Sequence, residues 1–433
     1  MHRFPLVARI LTGFVLGTGL GLAASEWCAP ETVKKILPVV SPFGDILVAM
    51  LKAVVYPVIF FSLVCGASAL PLRKSGRLGG AVMLWYFATS LFATLFGVAM
   101  AYLLNPSISG AETVASAGAA GAQAMAGSAA AGGTYGAFLT GLFQNPFAAL
   151  ASGQFLSVIV FAIGFGLAAR CILDAPGGGE AAEAVRKMLV VLDGVQKVAF
   201  KLIDWVVLYF PIGVFALSFS NFATNGPLLF GPYLRIVCCV AVGVLAMVFV
   251  VYPLAVAAFC RENPLRAMSR IREAVLTAFV TRSSAATLPV SFRAMDSLGV
   301  DRSLSSFSLP MGATVNMDGV CIHLPVFVIL AANMFGHSLT VFELATLCLS
   351  IMFASIGAGG IPGGSVFLLF MVLENMGLAP EQVSMVVALA LGINPILDMF
   401  ETACNVTGDN VCTYIVAKKG GLVREPGGEG VAR

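Results

Sequence analysis

The sequence predicts an all-α membrane protein of eight transmembrane helices and two re-entrant helical hairpins. Three observations predict it: the apolar composition, the spacing of the apolar segments and the placement of basic residues at their ends. Of 433 residues, 59% are hydrophobic and 11% are charged, where a soluble protein carries roughly 25% charged residues. Mean hydropathy is +0.94. That composition excludes a water-soluble fold, and it excludes disorder, which needs low hydrophobicity and high charge. A net charge of +3 is too small to point to nucleic acid.

A span needs about 20 mostly apolar residues. Such segments lie near 6–24, 46–70, 79–104, 154–173, 199–219, 231–260, 305–335 and 384–417. Arg3 and Arg9 before apolar sequence resemble a signal peptide, but the many apolar segments that follow favour an uncleaved first span. Two more apolar stretches are interrupted, 273–300 around TRSSAATLPV and 342–376 around SIGAGGIPGGS. Residues 105–136 are rich in Ala, Gly and Ser and predict a flexible extracellular or periplasmic loop. The ten cysteines fall mostly in apolar stretches without CxxC spacing, which predicts small apolar filler rather than disulfides or zinc ligands. Trp27, Trp85 and Trp205 suit packing or interface anchoring.

Basic loops stay cytoplasmic, so Arg73, Lys74 and Arg77 put the second-to-third connection inside. Arg170, Arg186, Lys187, Lys197 and Lys201 do the same for the fourth-to-fifth, and Arg261, Arg266, Arg270 and Arg272 for the segment after the sixth span. If the two interrupted stretches enter and leave by one face each, Arg293, Arg302, Lys418, Lys419 and Arg424 also fall inside. Both termini are then cytoplasmic, in an inner or plasma membrane. Non-helical hairpin tips at membrane depth must be buried in protein or line a polar cavity. Ser283, Ser284 and Thr287 at one tip, and the glycines and Pro362 of 357–364 at the other, suit such a cavity.

Between Ser303 and Ala417 there is no Lys or Arg, yet Asp318, Asp398, Glu401 and Asp409 lie inside apolar segments. A bare carboxylate at the bilayer centre costs at least about 2.5 kcal/mol. Arg282 is the deep basic residue nearby, and one guanidinium cannot balance four acids. The deficit asks for protons, metal ions or a cationic ligand group. Asp398, Glu401, Thr402, Asn405 and Asp409 share about a 100° arc of one helix face. NMDG at 316–319 interrupts the seventh span. Broken helices expose carbonyls that bind alkali cations, and oxygen donors suit hard ions, so sodium is the expected ion. His323 is expected to be packed and hydrogen-bonded.

TRSSAATLPV, GATVNMDG, SIGAGGIPGG and DMFETACNVTGD, in this order, resemble the dicarboxylate/amino acid:cation symporter family, in which glutamate transporter homologues and neutral amino acid transporters fall. The resemblance implies the glutamate-transporter-homologue fold with inverted repeats, the architecture for which an archaeal member is a standard example. It also implies a homotrimer with no enzymatic activity. By the resemblance, 1–78 and 137–219 form a scaffold, 79–104 and 220–417 a moving transport domain, and 418–433 a cytoplasmic tail. One sodium would bind Asp409 with carbonyls of Gly312, Asn316 and Asn405. A second would bind Asp318 with Asn316, Tyr86, Thr89 and Ser90, and a third Thr314, Ser355, Ile356 and Ala358. The substrate, an amino acid, would meet Ser284 and Asn405 with its carboxylate and Asp398 with its amino group, Thr402 nearby. Arg282, Ser283, Met317, Val320, Glu401, Gly360, Ile361, Pro362 and Gly363 complete the implied substrate site.

Two departures bear on the substrate. Acidic-substrate members of the family carry Arg where this chain has Glu401, and Thr where it has Val320. Reversing a buried charge turns attraction for a side-chain carboxylate into repulsion, so a neutral polar amino acid such as serine, alanine or cysteine is expected rather than aspartate or glutamate. Glu401 has three open roles: neutralising Arg282, carrying a titratable proton beside a neutral substrate, or binding a cationic side chain. The alternatives are accordingly a sodium- or proton-coupled carrier of a cationic amino acid, cystine or a dicarboxylate and, from another class, an ion channel. An intramembrane enzyme is disfavoured, because no motif places a base beside Ser283 or Ser284.

Overall fold

The computed structural model describes residues 6–68, 76–104, 140, 142–152, 155–175, 179–356, 364–376 and 378–424. Among them almost everything is helix, and the one extended pairing is an isolated bridge between Val300 and Val423. Seven of the described helices are long and apolar enough to cross a membrane, and the expected fourth span corresponds to the shorter apolar helix Ser157–Leu173. The loop expected at 105–136 and the tail beyond Arg424 lie outside the described residues.

Helices α1 (Leu6–Trp27), α2 (Pro30–Ser68), α3 (Gly76–Leu104), α4 (Pro146–Ser152), α5 (Phe155–Leu173) and α6 (Gly179–Asn225) make up the first half. Two are longer than their apolar cores at 46–70 and 199–219. The added turns are amphipathic: α2 begins with Glu31, Lys34 and Lys35, and α6 carries exposed ion pairs Lys187–Glu183 at 2.7 Å and Lys197–Asp193 at 2.6 Å. Hydropathy detects the lipid-crossing part of a helix, whereas hydrogen bonding continues into the polar interface. α1 and α2 lie along α6, and α2 also lies along α5. Gly13, Gly17 and Gly21, spaced four apart on α1, press against the backbone of Pro211, Phe215 and Phe219. Such small-residue seams let membrane helices approach closely where no hydrophobic force drives them together.

The second half starts with α7 (Phe230–Ala246), a π-turn at Met247–Val251 and α8 (Tyr252–Cys260). Pro253 lacks an N–H, and the π-turn absorbs the broken ladder just before it. The first hairpin is α9 (Pro264–Thr281) and α10 (Ser284–Ser297). Its tip is Arg282 and Ser283: Arg282 closes α9 in the left-handed region at φ 55°, and the Ser283 hydroxyl accepts from Ala286 N at 3.2 Å as N-cap of α10. Next come α11 (Arg302–Val315) and α12 (Asp318–Met334), one rod broken at Asn316 and Met317. The second hairpin has arms α13 (Val341–Ser355) and α14 (Gly364–Asn375), and α15 (Pro380–Lys419) completes the described chain.

α12 is the centre of this half. It is buried from Asp318 to Ala332 and packs on α3, α14 and α15, while the first hairpin and α11 also lean on α15. Three helices therefore converge where α11 breaks.

Candidate functional site

The break after Val315 points polar side chains and free backbone groups at the polar face of α15, and glycines let the two meet. A methyl on Gly312 would overlap Asp409 Oδ1 and come within 2.8 Å of the Tyr86 hydroxyl. One on Gly408 would stand 2.7 Å from Asn316 Nδ2 and 2.9 Å from Asp318 Oδ2. These two glycines leave room for a cluster of oxygens between α3, α8, α11, α12 and α15.

Asp318, Asp409 and Asn316 are all buried in that cluster. Asn316 donates from Nδ2 to Asp409 Oδ1 at 3.1 Å and accepts at Oδ1 from Thr89 at 3.1 Å. Asp318 accepts from Ser90 at 3.0 Å and from Tyr252 at 2.6 Å. Among the described residues no Lys or Arg is paired with Asp318 or Asp409. Removing a carboxylate from water costs several kcal/mol, and hydroxyl and amide dipoles offset only part of that. The cluster offers negative charge and hard oxygen donors to a cation of matching chemistry.

The structure brings Tyr86, Thr89, Ser90, Gly312, Asn316, Asp318 and Asp409 together. Tyr86 is placed differently from its expected partnership with Asp318: its hydroxyl donates to Ser308 O at 2.9 Å and stands beside Gly312. Of the third expected group, Thr314 donates to Met311 O at 2.9 Å and buried Ser355 to Met352 O at 2.8 Å, and Ile356 is half-buried. Ala358, Gly360, Ile361, Pro362 and Gly363 lie outside the described residues.

One turn along α15 from the cluster, Asn405 Oδ1 accepts from Gly319 N at 2.7 Å, and its Nδ2 points to Met317 Sδ at 3.3 Å. Thr402 donates to Asp398 O at 2.8 Å. Ser284 and Val320 are buried. Arg282 reaches over from the hairpin tip, Nη1 standing 3.5 Å from Asp398 Oδ2.

That last contact corrects one expected role of Glu401, the neutralisation of Arg282. Arg282 pairs with Asp398, and Glu401 is met by His323 instead, Oε1 against Nδ1. The cause lies in the backbone: Gly319 presses against the main chain of Glu401, so the Glu401 side chain runs along α12 toward the residue one turn on. Tyr252 and His323 were both missed as partners of the acids. His323 had a usable signal, since it follows Gly319 by four residues on one face of α12. Tyr252 is 66 residues from Asp318 and belongs to no motif.

A family model described as the sodium:dicarboxylate symporter family matches residues 6–419. The chain is 31% identical to the serine/threonine transporter SstT of Bifidobacterium adolescentis, over 93% of this chain and 87% of that one. It is 29% identical to the human neutral amino acid transporter B(0), over 93% and 77%, and 27% identical to the proton/glutamate-aspartate symporter of Escherichia coli K12, over 96% and 93%. All three relatives are named as transporters or symporters.

Proposed function

The chain belongs to the sodium:dicarboxylate symporter family, and from that premise we propose that it couples sodium entry to uptake of a small neutral polar amino acid. The observation that carries this reading is the pair of buried carboxylates, Asp318 and Asp409, that no basic side chain matches among the described residues. Sodium supplies the missing charge. Asp409 with Gly312, Asn316 and Asn405 takes one ion, and Asp318 with Asn316, Thr89 and Ser90 takes another. Thr314, Ser355, Ile356 and Ala358 take a third.

The substrate is a zwitterion, and Arg282 and Asp398 form an internal pair of the same two charges. The ammonium group of the substrate replaces Arg282 on Asp398, while its carboxylate meets the N-terminus of α10 at Ser284 and the Asn405 amide, near Thr402. Val320 lacks a hydroxyl and Glu401 is acidic, so nothing there attracts a side-chain carboxylate. The serine/threonine transporter among the relatives agrees with that choice. α1, α2, α5 and α6 act as scaffold for a homotrimer, both termini are cytoplasmic, and the hairpins with α3, α7, α8, α11, α12 and α15 carry the site across. Sodium and substrate order the same elements, so each strengthens binding of the other.

Labelled serine, alanine or cysteine should accumulate in proteoliposomes only under an inward sodium gradient. Uptake that is unchanged with choline in place of sodium removes the coupling. A second reading, proton coupling, is favoured by the His323–Glu401 contact and by one relative's being a proton symporter. Under that reading a pH gradient alone drives uptake.

A further inference from the structure

Glu401 and His323 are 1% and 0% exposed, and neither has a hydrogen-bond partner of good geometry among the described residues. Each has the other, Oε1 against Nδ1. Gly319 lies close against the Glu401 main chain, leaving no room for a methyl group between α12 and α15, and Phe327 packs on the imidazole with ring centroids 4.8 Å apart. Among the described residues no hydroxyl or amide reaches the carboxylate as they reach Asp318. A dry carboxylate facing a neutral imidazole costs several kcal/mol. A single proton removes that cost, whether it resides on Oε1 or on Nδ1, because either form is neutral overall and joined by a hydrogen bond.

We propose that His323 and Glu401 hold one proton between them, and that this neutral couple sets the charge that the side chain of the substrate meets. The proton comes from water and moves only between Oε1 and Nδ1, with no other bond changed. The functional half of the proposal rests on the transporter reading above. Among the described residues, the ionisable groups near the couple have other partners or are thiols. Arg282 lies on Asp398. Asp318 is held by Tyr252 and Ser90. Cys321 and Cys404 are buried thiols. With Arg282 and Asp398 cancelling and the couple neutral, a zwitterion with an uncharged side chain enters without stranding a charge. Glu401 and His323 are thus positioning residues that exclude acidic side chains without drawing in cationic ones.

The test uses purified full-length protein in two ways. The chain has three histidines, so the nitrogen NMR resonances of His323 are assigned by their loss in His323→Gln. In the wild type they should report a histidine nitrogen hydrogen-bonded to a carboxyl group, and they should shift in Glu401→Gln. Identical His323 resonances in wild type and Glu401→Gln overturn the couple. Calorimetry with serine, lysine and sodium then reads the function. The ratio of lysine to serine affinity is the measure: His323→Gln, which leaves the carboxylate without its partner, should raise lysine binding relative to serine about tenfold, because an unmatched negative charge draws in a cationic side chain. The double variant His323→Gln with Glu401→Gln should lose that gain in lysine binding. A purely structural histidine leaves the lysine-to-serine ratio unchanged, and a ratio that stays high in the double variant shows that the carboxylate is not its source, so either result overturns the role in specificity. If the wild type binds no amino acid, the transporter reading and the specificity role fall together, and the NMR comparison still decides the couple.

Discussion

Asp318 and Glu401 are buried carboxylates in the same helix-packed interior, and they are solvated in opposite ways. Asp318 receives hydroxyls from two other helices, Ser90 of α3 and Tyr252 of α8. Glu401 receives one imidazole, from α12. A hydroxyl lowers the cost of a buried charge without removing the charge, so the field around Asp318 still attracts a cation. An imidazole can share a proton, and the charge disappears. Burial alone therefore does not tell whether an intramembrane acid serves a metal ion or a proton; the titratability of its neighbours does.

The comparison breaks most readily at the hydroxyl-solvated end. Asp318→Asn and Asp409→Asn should each weaken sodium binding at least about thirtyfold, because each removes a desolvated charge worth 2 kcal/mol or more. The measure is the sodium-dependent shift in thermal unfolding; a shift of wild-type size in either variant would leave the cluster without its role. Next in size is Gly319→Ala, whose methyl would drive α12 away from the Glu401 backbone and cost about 1–3 kcal/mol of stability by overpacking. Gly80→Ala on α3, where the new methyl meets open space, should cost nothing, and equal losses in the two variants would show that the close contact is unimportant.

Tyr252→Phe sharpens the contrast further. It deletes a hydrogen bond to a charged group, worth about 1.5–3 kcal/mol, and should change sodium affinity by about tenfold or more in titrations of the purified protein, while leaving the His323 resonances in place. The smallest effect belongs to a carboxylate outside the membrane. Glu262 accepts from Tyr414 at 2.5 Å and pairs with Lys418 at 2.5 Å, and the Lys418 ammonium, followed by the Tyr414 hydroxyl, holds its pKa below the ordinary 4.5. Its folded-state pKa is depressed, so the stabilisation is complete above the ordinary value and fades as the pH falls through the lowered one. Glu262→Gln should therefore lower the unfolding temperature slightly at neutral pH and not at all in strong acid.

Much of this site was legible in the chain. The polar stripe from Asp398 to Asp409, the break at NMDG and the short polar tip around Arg282 follow from helical period and from residue types that cannot lie in lipid. Of the three roles open to Glu401, pairing with Arg282 is the one the contacts do not show, for a definite reason. Periodicity ranks residues around one helix axis, but it does not state how far that helix is turned toward its neighbour. Gly319 decided the rotation by letting the two backbones touch, and Glu401 was carried to His323 while Asp398 was left for Arg282.

By itself the sequence determined where the chain is apolar enough for lipid, which acids are stranded there and how their number exceeds the nearby basic residues, because these depend on composition and local period alone. The tertiary structure decided which donor meets which acid, because those contacts join α3, α8, α11, α12 and α15 across distances set by glycine-sized gaps at 312, 319 and 408. The chemistry of the site, whether cation or proton, follows from that second decision.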